Sequence, residues 1–441
     1  MSSSPTTAHA RTPLPEGTVP VGIGLLIAGV ATYAFFKVGT VAVGGDEEFE
    51  PIAALWFATF ALAPGFFLPL EQELGRALAH RRAIGQGSQP VVTKVVWLGT
   101  LLVGLVALVI ILLSPLIASS YFNGDWFMVI ALIAAIAGYA PAHLARGVCS
   151  GSGRFTEYAV IMGSDGVVRI ILCVILAIIG ITAAGVYGMA IAVSPLFAVA
   201  YVYRRGGLKT DPGPPAEWGE VTPNLGWLLL GSVFAATLLN AGPIAASLLA
   251  DDDQAALVTQ FSYGVLIARI PLFLFQAVQA ALLPGLSRQA ARGEFTEFRA
   301  GLRRLMLVVL AVGFLGTAGA YLLGSWAIEV AYDAELTGRT LALLALSSAC
   351  YMLALGTAQA VIALRGHALV ALGWGIGVVA FLLATWLSSD QVFRRIEIGL
   401  LVSSVAALVS FALSLRYKLS TGAVADPGSM MDAITDMPFE T

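Results

Sequence analysis

The chain has 441 residues, of which 58% are hydrophobic and only 12% charged, with a formal net charge of -3. Charged residues make up roughly a quarter of soluble domains, so this composition and a mean hydropathy of +0.86 exclude a water-soluble globular protein and make the lipid bilayer its main solvent. The small net charge gives no electrostatic footing for nucleic acid, and three cysteines without a CxxC pair argue against a disulfide framework or a zinc site.

Residues 1–19 are polar and Pro-rich without an apolar core, which reads as a disordered cytoplasmic tail and not a cleaved signal. Beyond it, apolar runs of about 20 residues, enough to cross about 30 Å of hydrocarbon, recur between short charged or Gly/Pro breaks. Helices are expected over 20–43, 50–70, 90–118, 126–147, 157–179 and 184–203. A polar stretch rich in Pro and Gly, 204–224, follows as a cytoplasmic linker. Six more helices are expected over 225–249, 255–283, 302–325, 338–363, 368–388 and 395–416, then a cytoplasmic tail over 417–441. The chain thus divides into an N-terminal lobe, 20–203, and a C-terminal lobe, 225–416.

Most of the 24 Lys and Arg residues fall on the side of both termini, and the positive-inside rule then puts both ends in the cytoplasm of a multi-pass protein of the cell membrane. The opposite loops are acidic, with Asp46, Glu47, Glu48 and Glu50 in one and Asp251, Asp252 and Asp253 in another. PLEQELGRALAHRRAIG after helix two and ALLPGLSRQAARGEF after helix eight both read as short basic helices closing on glycine, Gly85 and Gly293. Helices four and ten are expected to end on Arg146-Gly147 and Arg365-Gly366. Matching features six helices apart indicate a duplicated lobe with a pseudo-two-fold axis along the membrane normal. The expected fold class is all-α integral membrane, with twelve spanning helices in two pseudo-symmetric six-helix bundles.

An ionisable group in hydrocarbon costs about 2.5 to 3.5 kcal/mol, so those that persist face a partner or a wet cavity. Asp165 and Arg169, spaced i and i+4, share a helix face and are either a structural ion pair or a functional one, Asp165 being the candidate for proton or sodium coupling. Arg269 has no acid within a turn on its own helix and is followed by Pro271, which is expected to kink helix eight. It reads as a cavity cation or as the partner of a neighbouring helix. Lys37 either joins it or snorkels to the interface. Lys37, Arg169 and Arg269 together suggest an electropositive cavity suited to an anion such as a phosphate. Asn240, Gln260, Gln276, Gln279 and Gln359 read first as inter-helix hydrogen-bonding groups, with Gln276 and Gln279 placed to line an inner mouth. Glu71, Glu73, Arg76, Arg81 and Arg82 would form an amphipathic cytoplasmic helix, a solvated anchor or else a gate. No catalytic constellation or cofactor motif appears, and the four histidines lack ligand spacing, so no enzymatic activity and no cofactor are expected.

GFFLPLEQELGRALAHRR after helix two, ARGVCSGSGRFTEY after helix four and ARIPLFLFQAVQAALLPGLSRQAARGEF through helix eight resemble actinobacterial polysaccharide-biosynthesis exporters of the multidrug/oligosaccharidyl-lipid/polysaccharide (MOP) flippase superfamily. The resemblance implies a V-shaped pair of six-helix bundles that alternates between inward and outward openings. It implies a polyprenyl-pyrophosphate-linked oligosaccharide as cargo, with Arg269, and less closely Lys37, matching the cationic cavity positions that hold the pyrophosphate. Lipid II flippases, similar in the same way, carry two further helices, so the O-antigen or capsule type is the expectation. A polysaccharide polymerase or glycosyltransferases are then the expected partners of a monomeric transporter. A major-facilitator transporter shares the helix count, but its loop pattern places Asp between Gly and the basic residues, and GRALAHRR has none. A MATE-branch drug/cation antiporter would favour acids over Lys37 and Arg269, and a non-transporting scaffold is the third class.

Overall fold

The computed structural model describes residues 17–420 except 224, 273–274, 276–285, 287–288 and 291. The described residues form helices and connecting loops, with twelve helices long and apolar enough to cross a membrane. In the first lobe these are α1 (Thr18–Val43), α2 (Asp46–Ala83), α3 (Gln89–Leu112), α5 (Trp126–Gly151), α6 (Phe155–Ile179) and α7 (Ala184–Arg204), with a short α4 (Ser114–Tyr121) between α3 and α5. The second lobe comprises α8 (Leu225–Leu249), α9 (Ala255–Ala268), α10 (Phe295–Tyr332), α11 (Gly338–Ala363), α12 (His367–Leu387) and α13 (Val392–Ser420). Gln276 and Gln279 lie outside the described residues.

The two lobes repeat one packing scheme. In each, the first spanning helix packs on the fifth, the second on the fourth, the third on the fourth, and the sixth on both the fourth and fifth. Small residues permit the closest of these approaches, because hydrocarbon supplies no hydrophobic drive between helices and packing must do so. On α6, Gly163 and Gly166 lie against Ile27, Ala28 and Ala31 of α1, and on α5 a Cβ at Gly138 would run into the carbonyl oxygen of Ala192 on α7. The duplicated glycine stops are visible too: Gly85 and Gly293 adopt φ of 69° and 71°, the left-handed region where a side chain is strained.

Several expected helix ends move, two of them for a local reason. The third expected helix breaks at Leu113, because Pro115 cannot donate to Ile111 O and the Ser114 hydroxyl does so instead, at 2.7 Å. The fourth does not stop at Arg146-Gly147. α5 runs on to Gly151, and Gly147 is a contact glycine whose Cβ would meet Glu71 O at 2.8 Å. The turn falls instead at Gly153, with φ 71°.

Aromatic side chains mark the bilayer. Trp126, Trp326 and Trp386 are exposed toward the acidic end of the bundle, and Trp97, Trp227 and Tyr203 toward the basic end, as expected of residues that prefer the two lipid–water interfaces. With about 30 Å between such belts, the 38-residue helices α2 and α10 project beyond the basic belt.

Candidate functional site

The lobes meet along α2 of the first and α8 and α9 of the second. On α2 the cross-lobe contacts run from Asp46, bonded to Tyr263, to Gly65, packed on Val233, which is about 28 Å of helix. Proline shapes this seam. A proline leaves the carbonyl four residues earlier without its helical donor, and two such carbonyls are used here. Pro64 frees Phe60 O, which accepts from Asn240 Nδ2 across the lobe boundary at 3.1 Å. Pro243 frees Leu239 O, which accepts from the Arg269 guanidinium, while Asn240 Oδ1 accepts from Arg269 Nη1 at 3.2 Å.

Arg269 itself sits at a break. α9 stops at Ala268, Arg269 caps it, and the helix resumes at Ile270, because Pro271 cannot donate to Ile267 O. Leu266 O accepts from the Arg269 backbone N–H at 3.1 Å and also from the Tyr33 hydroxyl of the other lobe at 2.9 Å. Arg269 is only 8% exposed, with its guanidinium 5.5 Å from the Phe57 ring centre. Its hydrogen-bond partners are a neutral amide and a carbonyl oxygen, and among the described residues it has no carboxylate partner. Burying a charge without a counter-ion is costly.

Lys37 lies on the same seam. Tyr33, Lys37 and Thr40 share one face of α1 by helical spacing, and both flanking residues reach the second lobe, Tyr33 to Leu266 O and Thr40 to the Tyr263 hydroxyl at 2.6 Å. Lys37 is half-buried and has no ion pair among the described residues. Phenols line the surroundings: Tyr263 stacks on Tyr332 at 4.2 Å, and the Tyr351 hydroxyl donates to Ala235 O at 3.1 Å.

Arg169 is elsewhere. It is 2% exposed inside the first lobe, where it donates to Asp165 Oδ2 at 2.5 Å and to the Tyr139 hydroxyl at 3.0 Å. Tyr139 in turn donates to Asp165 Oδ2 at 3.1 Å, and the guanidinium stacks 4.4 Å from the centre of Trp56. The three polar groups close on one another within α5 and α6.

The segment expected as a separate solvated helix is the continuation of α2. Glu71, Glu73 and Arg81 are 5%, 6% and 2% exposed. Glu71 accepts from Arg146 Nε at 3.1 Å and from the Tyr158 hydroxyl at 2.8 Å, with His143 Nδ1 2.8 Å away. Glu73 pairs with Arg76 at 2.8 Å, and Arg76 also donates to Glu220 O at 2.7 Å. Arg81 grips the linker through the Glu220 carboxylate, at 2.8 and 2.9 Å, and through Pro214 O at 2.9 Å. That guanidinium holds the Glu220 carboxyl below the usual carboxylate range. Residues 211–220 are thereby strapped to the first lobe, with Lys94 donating to Ala216 O and lying 4.8 Å over Trp218.

From the sequence, Asn240 reads as an inter-helix hydrogen-bonding group and Arg269 as a cavity cation or the partner of a neighbouring helix, with nothing to join them; Glu50 reads as a loop acid, and His143, Tyr139 and Glu397 carry no signal of their partners. Glu50 and Glu397 are 3% and 1% exposed, although both stand in the first turns of helices at the acidic end; Arg339 meets Glu397 at 3.2 Å. Gln359 is half-buried near the basic end of α11, within the second lobe. Gln260 bonds across the seam to Asp46 at 3.1 Å.

This arrangement of helices in two lobes has solved counterparts. A multidrug-resistance transporter of the MATE family in its inward-facing conformation superposes with a TM-score of 0.70 at 13% identity, covering 93% of this chain and 100% of the other. The fold is that of the MATE transporters of the MOP superfamily. An aspartate-to-asparagine mutant of the Vibrio cholerae MATE transporter VcmN gives 0.66 at 18% identity, covering 92% of this chain and 97% of the other. No family model matches the sequence. An uncharacterized protein of Mycobacterium tuberculosis is 26% identical over 391 residues, covering 84% of this chain and 86% of its own length, and one of Mycobacterium bovis is 26% identical over 296 residues, 62% and 63% respectively.

Proposed function

We propose that the chain is an alternating-access flippase that moves a polyprenyl-pyrophosphate-linked oligosaccharide from the cytoplasmic leaflet, at the basic end, to the outer leaflet. The observation that carries this reading is Arg269, a buried cation between the lobes with only neutral hydrogen-bond partners among the described residues. A pyrophosphate supplies the missing negative charge and accepts two parallel N–H bonds from a guanidinium. Lys37, on the seam-facing side of α1, supplies a second cation. Polymerase or glycosyltransferase partners follow from such a cargo, and a proton or sodium gradient is the proposed energy source.

The fold shared with MATE transporters supports a second reading, a small-molecule antiporter. The charge at the seam distinguishes the two, because an unneutralised arginine repels a cationic drug. The test is to deplete the protein and follow lipid-linked glycan by leaflet. Accumulation on the cytoplasmic face, reversed by the intact gene and not by Arg269→Ala, is expected. Normal leaflet distribution after depletion, with altered export of organic cations, would favour the antiporter.

A further inference from the structure

The seam is fastened at the acidic end by two carboxylates of α2 spaced one turn apart. Asp46 accepts from the Tyr263 hydroxyl at 2.8 Å and from Gln260 Nε2 at 3.1 Å, and its carbonyl accepts from the Thr259 hydroxyl at 2.8 Å, all from α9. Glu50 accepts from the Ser247 hydroxyl of α8 at 2.6 Å and faces Asn123 Nδ2 at 3.4 Å. Asp46 is half-exposed and sits on the helix N-terminus, where backbone amides and water support its charge. Glu50 is 3% exposed and one turn deeper. The groups facing it are Ser247 from α8, Asn123 from the loop after α4, and from α4 the Tyr121 phenol, whose hydroxyl is committed to Ala54 O at 2.8 Å. Asp46 lies on its own helix. No Lys, Arg or His pairs with Glu50 among the described residues.

We propose that Glu50 is a proton site that couples closure of the acidic end to proton uptake from the water on that side. The cost of burying an ionised carboxylate without a cation is large and that of a neutral carboxyl is small, so drawing Glu50 against Ser247 takes up one proton and parting the lobes returns it. The neutral form keeps full hydrogen bonding. Ser247 still donates to Oε1, and the new O–H on Oε2 donates to the amide oxygen of Asn123, which a half-turn of that side chain presents. The latch belongs to the alternating-access part of the reading above and is independent of the glycan.

The full-length chain, with Cys149, Cys173 and Cys350 replaced by Ser, is spin-labelled at Ser120→Cys and Ser388→Cys, exposed positions of opposite lobes at the acidic end. It is reconstituted without glycan in lipid nanodiscs, and the distance distribution is read from about pH 5 to pH 8. The closed population is expected to fall at least about tenfold relative to the open one as pH rises, the change produced by one unit of difference in proton affinity. Glu50→Gln should stay closed throughout, Glu50→Asp should retain the response, and Ser247→Ala should retain it with a smaller closed fraction. A wild-type distribution that ignores pH, or a Glu50→Gln profile that follows the wild type, overturns the proposal; a misfolded Glu50→Gln leaves the decision to Glu50→Asp, whose lack of response would overturn it equally. The glycan reading can fail with this response intact, since no glycan is present.

Discussion

Replacing Asp165 by Asn leaves Arg169 buried in the first lobe with its charge uncompensated. Arg169 is 2% exposed, so water cannot take the place of the carboxylate. Removing one partner of such a pair costs about 3 to 5 kcal/mol, and the Trp56 face at 4.4 Å, worth about 2 kcal/mol in a desolvated site, keeps the loss at the lower end. A destabilisation of about 3 kcal/mol is roughly two decades in the folded-to-unfolded ratio. The double variant Asp165→Asn with Arg169→Met replaces a desolvated pair by an apolar contact and should return to within about 1 kcal/mol of the wild type. Unfolding of the purified protein in mixed micelles measures both. The same pair separates the two roles open to Asp165. A structural ion pair predicts that the double variant regains transport along with stability; a coupling site predicts a stable protein whose transport no longer responds to an ion gradient. An unfolding curve for Asp165→Asn that overlays the wild type, or a double variant no better than the single one, would refute the reasoning.

Arg269→Ala should weaken binding of a pyrophosphate-bearing lipid roughly 10- to 100-fold, the loss of charge-assisted hydrogen bonds, with Arg269→Lys between the two; an equilibrium binding titration reads this. Arg81→Ala should free the linker, so that limited trypsin cuts faster at Arg204, Arg205 and Lys209. The Glu220 carboxyl is held below its ordinary value of 4.5 when bound to Arg81, so its contribution to docking is complete at neutral pH and is lost as pH falls below that value; acid-resistant proteases should show faster linker cleavage there. Gly138→Ala should drive α5 away from the Ala192 carbonyl and cost about 1 to 3 kcal/mol, seen as a lower unfolding midpoint.

The spans and the distortion of the eighth helix next to Pro271 were readable because each depends on a run of neighbours along the chain. An apolar stretch of spanning length must form a helix to satisfy its own backbone in hydrocarbon, and Pro271 disrupts its own helix whatever surrounds it. Lengths at the basic end were less readable. α2 runs past Pro64 and Pro69 to Ala83 because its far part is buried against α5 and the linker, which hydropathy alone marks as polar. The partners of the polar groups were not readable at all. Glu71 meets His143, Arg146 and Tyr158 from helices far apart in sequence, and no spacing rule connects them.

The order of residues along the chain by itself determined a twelve-span protein in two matched halves, and it marked Arg269 as a cation in the wrong solvent. Only the tertiary structure decided that Arg169 is neutralised inside one lobe while Arg269 stands between two, and that Glu50 is a buried link across the seam and no mere loop charge. The physical reason is the same in each case: helix formation in a bilayer is a local hydrogen-bonding requirement, whereas the cost of a charge is set by which oxygen or cation the packing brings within about 3 Å.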